Sequence, residues 1–301
     1  DVSAGNATTT IENTNTASTT NSAEATATTG DNTATGGSAS VTTGDAIASA
    51  NVINVINTNI INSPGILAFF NLLFGGGFDL RNFDLSYFFD GEASDSPTVN
   101  ESTGEPQCTL LTCLNSSSLN VFNDNTATVT NSVIVRASTG ENTASSTGDG
   151  NASIDTGDAY AAANVLNVVN TNIINSSYLM VSFNNFGDLA GNITLPNADF
   201  FGRLFAHGGS APAMNSSTYG INNTNDVGFT GTTTASAETG LNTASTTGLG
   251  HGDVDTGNAY SSATTFTDAN ANYFGGTSAF FFFRVSGEWS GEVTGLPEGL
   301  S

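Results

Sequence analysis

Small apolar and polar residues alternate through long stretches of this chain. In the best-formed stretch, Val129, Val133, Val135 and Ala137 fall on one side of an extended strand, and Thr128, Thr130, Ser132, Arg136 and Ser138 on the other. Period two is the strand period, and the density of β-branched, asparagine and glycine residues opposes helix. Thr-Gly and Gly-Asp pairs interrupt the alternation as turns. Phe280 to Val285 is different: it is apolar on both sides, as expected of a strand between two layers.

The pattern is written three times. Copies open at Asn13 to Ala17, Asn123 to Ala127 and Asn223 to Val227; each continues with Thr-Gly-x-Asn-Thr-Ala at 29–34, 139–144 and 239–244. A second Thr-Gly stands at 43–44, 156–157 and 256–257. Two copies close on AIASANVINVINTNIINS (46–63) and AYAAANVLNVVNTNIINS (159–176), the third on the diverged AYSSATTFTDANAN (259–272). A shorter interval lies inside a copy. Ala127, Ala144 and Ala161 are 17 residues apart, as are Val135, Ala152 and Val169. Taken as the length of one coil, this interval predicts an all-β parallel β-solenoid (β-helix), its three duplicated units holding about three coils each. Nine coils at about 4.8 Å would make a rod roughly 43 Å long. Tandem antiparallel β-sandwich or jelly-roll domains are the alternative. Asn51, Asn54 and Asn57, with Asn164, Asn167 and Asn170, suit turns or amide ladders.

This reading divides the chain into an extended N-terminal arm (1–12), repeat 1 (13–63), a Phe-rich excursion with both cysteines (64–122), repeat 2 (123–176), a second Phe-rich excursion (177–222), repeat 3 (223–272) and an aromatic C-terminal segment (273–301). All six prolines fall outside the repeats, consistent with ladder strands inside them. Phe69, Phe70 and Phe74 share a motif with Phe200, Phe201 and Phe205. Together with Phe280, Phe281, Phe282, Phe283 and Trp289 they are the candidate contacts between subunits, with packing in the chain's own core an equal alternative for the two excursions. The arm is a candidate strand for donation to a neighbour's sheet edge, against a frayed chain end without a role.

Charge narrows the functional classes. The 301 residues hold 27 acids, four arginines and no lysine, a formal net charge of −23. Phosphate backbones and anionic lipid repel such a polyanion, which excludes nucleic acid as a partner. No apolar stretch reaches the roughly 20 residues of a spanning helix. The start at Asp1 suggests a processed product. Cys108 and Cys113 enclose four residues and suggest a local disulfide formed in an oxidising, extracellular setting. His207 and His251 are the only histidines, so no nucleophilic triad is recognisable. The aspartates fall in repeated turns, not in an isolated catalytic pair, and the expectation is a non-enzyme.

Calcium is the one cofactor in view. Thr-Gly-Asp places Asp31, Asp45, Asp149 and Asp158 in turns, and Asp253 and Asp255 share one side of a strand. These turns loosely resemble the calcium-binding β-roll nonapeptide GGxGxDxUx, which never occurs whole here; ordinary surface turns are the favoured reading and calcium the alternative. Asn6, Asn100, Asn115, Asn151, Asn175, Asn192, Asn215 and Asn222 head glycosylation sequons, which makes glycans candidate partners.

The ANVxNVxNTNIINS signature and the Ser/Thr/Asn-rich composition resemble the repetitive surface proteins of prokaryotes that build cell-surface fibres, adhesin stalks and surface layers. The resemblance covers the three repeats and implies a structural, non-catalytic role outside the cell. The expectation is a secreted subunit that assembles with copies of itself into a filament or sheet, through strand or aromatic contacts. Its rivals are a carbohydrate-binding adhesin stalk, an ice-binding solenoid with threonine rows (Thr26 and Thr28, Thr128 and Thr130) and a polysaccharide lyase.

Overall fold

The computed structural model describes residues 8–61, 63, 65–82, 118–174, 176–197, 199–202 and 218–295. Their strands come in three sets of seven. The first set, coil 1, is β1 (Thr8–Thr28), β2 (Thr33–Gly36), β3 (Ala39–Thr43), β4 (Ala46–Ile56), β5 (Asn59–Ile61), β6 (Gly65–Gly75) and β7 (Phe78–Asp79). Coil 2 is β8 (Ser118–Ser138), β9 (Thr143–Ser146), β10 (Ala152–Thr156), β11 (Ala159–Val169), β12 (Asn172–Ile174), β13 (Ser177–Leu189) and β14 (Ile193–Thr194). Coil 3 is β15 (Thr218–Glu238), β16 (Thr243–Thr246), β17 (Gly252–Thr256), β18 (Ala259–Ala269), β19 (Asn272–Phe274), β20 (Thr277–Ser286) and β21 (Val293–Thr294).

Each strand pairs with its counterparts in the other sets, always parallel, so seven three-stranded sheets form with coil 2 in the middle. Thr8 is in register with Ser118 and Ser118 with Thr218; Ala46 is in register with Ala159 and Ala159 with Ala259. The protein is thus all-β, a parallel stack consistent with a β-solenoid. The expected coil length is corrected. Side chains stacked between neighbouring coils are 100, 110 or 113 residues apart in sequence, so one whole copy makes one coil. Three coils at about 4.8 Å give a stack about 14 Å high, not a nine-coil rod. Ala127, Ala144 and Ala161 lie in β8, β9 and β11, which belong to three different sheets. Seventeen residues separate the corner glycines Gly140 and Gly157 of a single coil, an interval that holds two short strands, β9 and β10. No antiparallel pair occurs among the described strands, which leaves the sandwich alternative without support.

Three layers make the cross-section. Val133, Val135 and Ala137 of β8 pack on Ala159, Ala161, Ala163 and Val165, one face of β11. Leu166 and Val168, from the opposite face of β11, pack with Tyr178 and Met180 of β13. Every residue of β11 is therefore buried. The other face of β13 meets Phe78, Leu80, Ile193, Phe200 and Phe201.

The Phe-rich segments are thus partly ladder strands and not excursions. Phe69 is in register with Ser182 and Ser182 with Phe282; Phe70 is in register with Phe183 and Phe183 with Phe283. Phe200 and Phe201 instead occupy a helical turn at 199–202, so the motif they share with Phe69 and Phe70 is not a structural equivalence. The N-terminal arm is corrected too, since Thr8 to Glu12 already pair with Ser118 to Phe122. Residues 1–7, Phe205, His207, Cys108 and Cys113 lie outside the described residues.

The repeated motifs are corners. In Thr-Gly-x-Asn-Thr-Ala the glycines take positive φ (86° at Gly30, 85° at Gly140, 84° at Gly240). The asparagine two positions on closes the turn, its Nδ2 donating to the Thr139 carbonyl at 3.1 Å in coil 2 and to the Thr239 carbonyl at 2.8 Å in coil 3. Asn57, Asn170 and Asn270 also hold positive φ, a region asparagine enters more readily than other side chains. They brace the neighbouring sheet: Asn57 Nδ2 donates to the Thr126 carbonyl at 2.9 Å and Asn170 Nδ2 to the Asp226 carbonyl at 2.7 Å.

Candidate functional site: the open ends of the stack

Burial along matched rows shows where the molecule is unfinished. Leu166, Val168 and Ile173 in coil 2 are 3%, 1% and 2% exposed, whereas Ile53, Val55 and Ile60, at the same positions in coil 1, are 41%, 42% and 53% exposed. Coil 3 has Phe229 and Val254 at 40% and 42%. The strands of coils 1 and 3 pair on one side only, and among the described residues nothing pairs with their outer edges. Each end thus presents a row of backbone N–H and C=O groups from seven strands.

Asparagine amides stack through the three coils and zip adjacent sheets together. In one column Asn15 Nδ2 donates to Asn125 Oδ1 at 2.8 Å, and Asn125 Nδ2 to Asn225 Oδ1 at 2.8 Å. In the facing column Asn59 donates to Asn172 and Asn172 to Asn272, both at 2.7 Å. Cross-links join the columns, Asn15 to Asn59 at 2.9 Å and Asn125 to Asn172 at 3.2 Å. Satisfied amides of this kind fix the register of buried polar sheets. A second zip joins Asn21, Asn131, Asn54 and Asn167, but coil 3 has Gly231 and Thr267 at those rows. The missing amides leave a cavity of about 420 Å³ lined by Asn131, Asn167, Phe229, Gly231 and Thr267, among others. Sequence reading singled out Asn54 and Asn57 but missed the pairing of 15 with 59, which needs the coil length to be known.

The candidate calcium aspartates are coil-to-coil links. Asp31 Oδ1 accepts from the Glu141 N–H, Asp45 Oδ1 from Asp158, Asp149 Oδ1 from Leu249 and Asp158 Oδ1 from Asn258, at 2.8, 2.8, 3.1 and 2.6 Å. Asp253 and Asp255 are exposed on β17. Among the described residues no three His, Cys, Asp or Glu side chains are grouped as a metal site.

Of the sequons, Asn151, Asn192 and Asn222 are exposed; Asn6, Asn100, Asn115, Asn175 and Asn215 lie outside the described residues. The threonine pairs align only in part: Thr130 is in register with Thr20 and Thr230, whereas Thr26 meets Arg136, and Thr128 meets Ser18 and Gly228. Phe69 and Phe280 to Phe283 pack between layers of their own chain, Phe74 falls within β6, and Trp289 Nε1 donates to the Gly191 carbonyl at 2.9 Å.

Two buried tyrosines give the fold an alkaline limit. Burial, then the nearby Asp158, raises the Tyr160 phenol above its ordinary value, and burial, then Asp268, does the same to Tyr178. Both phenols donate to these carboxylates, at 2.8 and 3.3 Å. A folded-state pKa above the unfolded value means that stability is intact below about pH 10 and falls as pH rises beyond it. The slope is about 1.4 kcal/mol per pH unit for each phenol. Thermal melts across this range should show the loss, and Tyr160→Phe with Tyr178→Phe should make it shallower, Tyr273, raised by burial and then by Asp268, contributing to what is left. Equal slopes in both proteins would assign the alkaline loss elsewhere.

Among the described residues no helix is long and apolar enough to cross a membrane. No family model, curated protein or solved structure matches this chain.

Proposed function

We propose that the chain is the structural subunit of an extracellular polymer, adding copies of itself through its open strand ends. The observation that carries this reading is the pair of seven-stranded edges, at coils 1 and 3, that are unpaired among the described residues. Soluble sheet proteins guard such edges with lysine, proline or bulges. The strands of coils 1 and 3 contain no proline, and the chain has no lysine. The aromatic side chains, spent within their own core, are a weaker basis for assembly than the edges. Secretion and a surface role rest on the likeness of the repeats to prokaryotic fibre proteins, and glycans remain candidate decorations of the exposed sequons.

Charge sets the conditions. A net charge of −23 opposes the approach of two copies. Raising monovalent salt shrinks the screening length from about 10 Å at 0.1 M to about 3 Å at 1 M. Electron microscopy of purified protein is expected to show filaments whose yield rises with sodium chloride. Dispersed single particles at every salt concentration, with and without calcium, would overturn the reading.

A further inference from the structure

We propose that coil 3 of one copy docks on coil 1 of a second copy, in the register that joins successive coils within the chain. This rests on the self-assembly reading above and adds its direction, its register and its contact rows.

Glycines in coil 1 point to the occupant. A Cβ on Gly157 would lie 2.5 Å from the Gly44 carbonyl carbon, and one on Gly257 2.4 Å from the Gly157 carbonyl oxygen. A Cβ on Gly150 would lie 1.3 Å from the Gly37 carbonyl oxygen, and one on Gly250 1.9 Å from that of Gly150. In coils 2 and 3 these positions must be glycine, because each Cβ would strike the preceding coil. At Gly37 and Gly44 of coil 1 a Cβ would meet nothing within 4 Å, and neither residue has a positive φ. Among the described residues nothing requires glycine there. A preceding coil does, and coil 3 of another copy supplies one with the same backbone.

Hydrogen-bond polarity agrees. In five columns the amide of the lower-numbered coil donates to the next: Asn13 to Asn123 to Asn223, Asn15 to Asn125 to Asn225, Asn32 to Asn142 to Asn242, Asn57 to Asn170 to Asn270, and Asn59 to Asn172 to Asn272. Coil 3 therefore ends these columns with donors and coil 1 begins them with acceptors, so stacking coil 1 on coil 3 continues all five. A two-fold contact between coil 1 faces would set acceptor against acceptor.

Charge agrees as well. The turn acids Asp31 and Glu141 give way to Leu241 in coil 3, and Asp45 and Asp158 to Asn258. The docked Asp31 and Asp45 thus meet neutral residues, and Leu241, 79% exposed in the single chain, gains a neighbour. The Asn21–Asn54 pair of the docked copy comes to lie over the cavity beside Gly231 and Thr267. Because the two faces differ, each addition leaves the same two ends and the stack does not close.

Cysteine pairing tests the register. Thr14 is in register with Asp124, and Asp124 with Thr224; both threonines are exposed. Within one chain they stand two strand spacings apart, about 9.6 Å, beyond disulfide reach; across the proposed joint they are adjacent at about 4.8 Å. Oxidised Thr14→Cys/Thr224→Cys protein should run as a thiol-reversible ladder of multimers, at least about tenfold stronger than in three controls. These are the unsubstituted chain with Cys108 and Cys113, Thr14→Cys alone, and the out-of-register pair Thr14→Cys/Thr230→Cys. Gly44→Ala should keep the melting temperature of the parent and lose filaments. Filaments without the ladder, an equal ladder from the offset pair, or Gly44→Ala that assembles normally would overturn the docking mode while leaving self-assembly standing. Absence of any assembly in the parent would remove both.

Discussion

Gly140→Ala is expected to loosen the three-coil stack at this corner, at a cost of about 2–5 kcal/mol. Two effects add. The left-handed backbone at φ 85° disfavours any Cβ by about 1–2 kcal/mol. The new methyl would lie 1.9 Å from the Gly30 carbonyl oxygen, which is backbone and cannot swing away. Coils 1 and 2 must part at this corner, straining the Thr143-to-Asn32 backbone hydrogen bond (2.8 Å) and the Asn32–Asn142 amide pair (3.0 Å), each worth about 0.5–1.5 kcal/mol. Gly30→Ala is the matched comparison. It has the same backbone but open space for the methyl, so it should lose only the conformational part. Chemical denaturation of the two variants checks this. Equal losses would mean that coil-to-coil contact at this corner does not matter.

Phe183→Ala should cost about 3–5 kcal/mol in the single chain, before any assembly. The ring is 0% exposed, 4.7 Å from Phe78 and 6.4 Å from Phe283 between centroids. Its removal leaves a cavity where β13 packs on Phe78 and Ile193, both held in a ladder, and on Phe201 of the helical turn. Phe122→Ala, on an exposed outer face at 43%, should change stability by less than about 0.5 kcal/mol. Differential scanning calorimetry under dispersing conditions separates the two. A small effect at Phe183 would return the aromatic residues to an intersubunit role.

Strand, corner and stack were legible in the residues for different reasons. Alternation of Val133 and Val135 with Ser132 and Arg136 reports a half-buried strand whatever the topology, and β8 has that pattern. The repeated Thr-Gly positions are corners because coil-on-coil contact excludes a side chain there. The size of the coil was obscured by a coincidence of lengths: the 17-residue spacing of Ala127, Ala144 and Ala161 runs around one coil, while the 110-residue separation of Asn13 from Asn123 runs up the stack. The intact motifs carried that second number, and a shorter self-similarity masked it. Phe69, Phe70, Phe200 and Phe201 misled because composition alone does not distinguish a ladder strand from a helical turn covering the same core. The amide zip between Asn15 and Asn59 joins two sheets, and no local pattern announces such a partner.

Strand partners set 100 to 113 residues apart have a kinetic consequence. The first contact between coils 1 and 2 closes a loop of about 110 residues, which costs roughly 1.7 kcal/mol more than closing one of 17. High contact order of this kind makes folding slow. Once one sheet is in register, the remaining sheets follow with only short links between them, so the search is made once per coil. A coil meeting a surface that is already folded has no such loop to close. An exposed edge of a finished stack is then a better nucleus than anything the free chain contains.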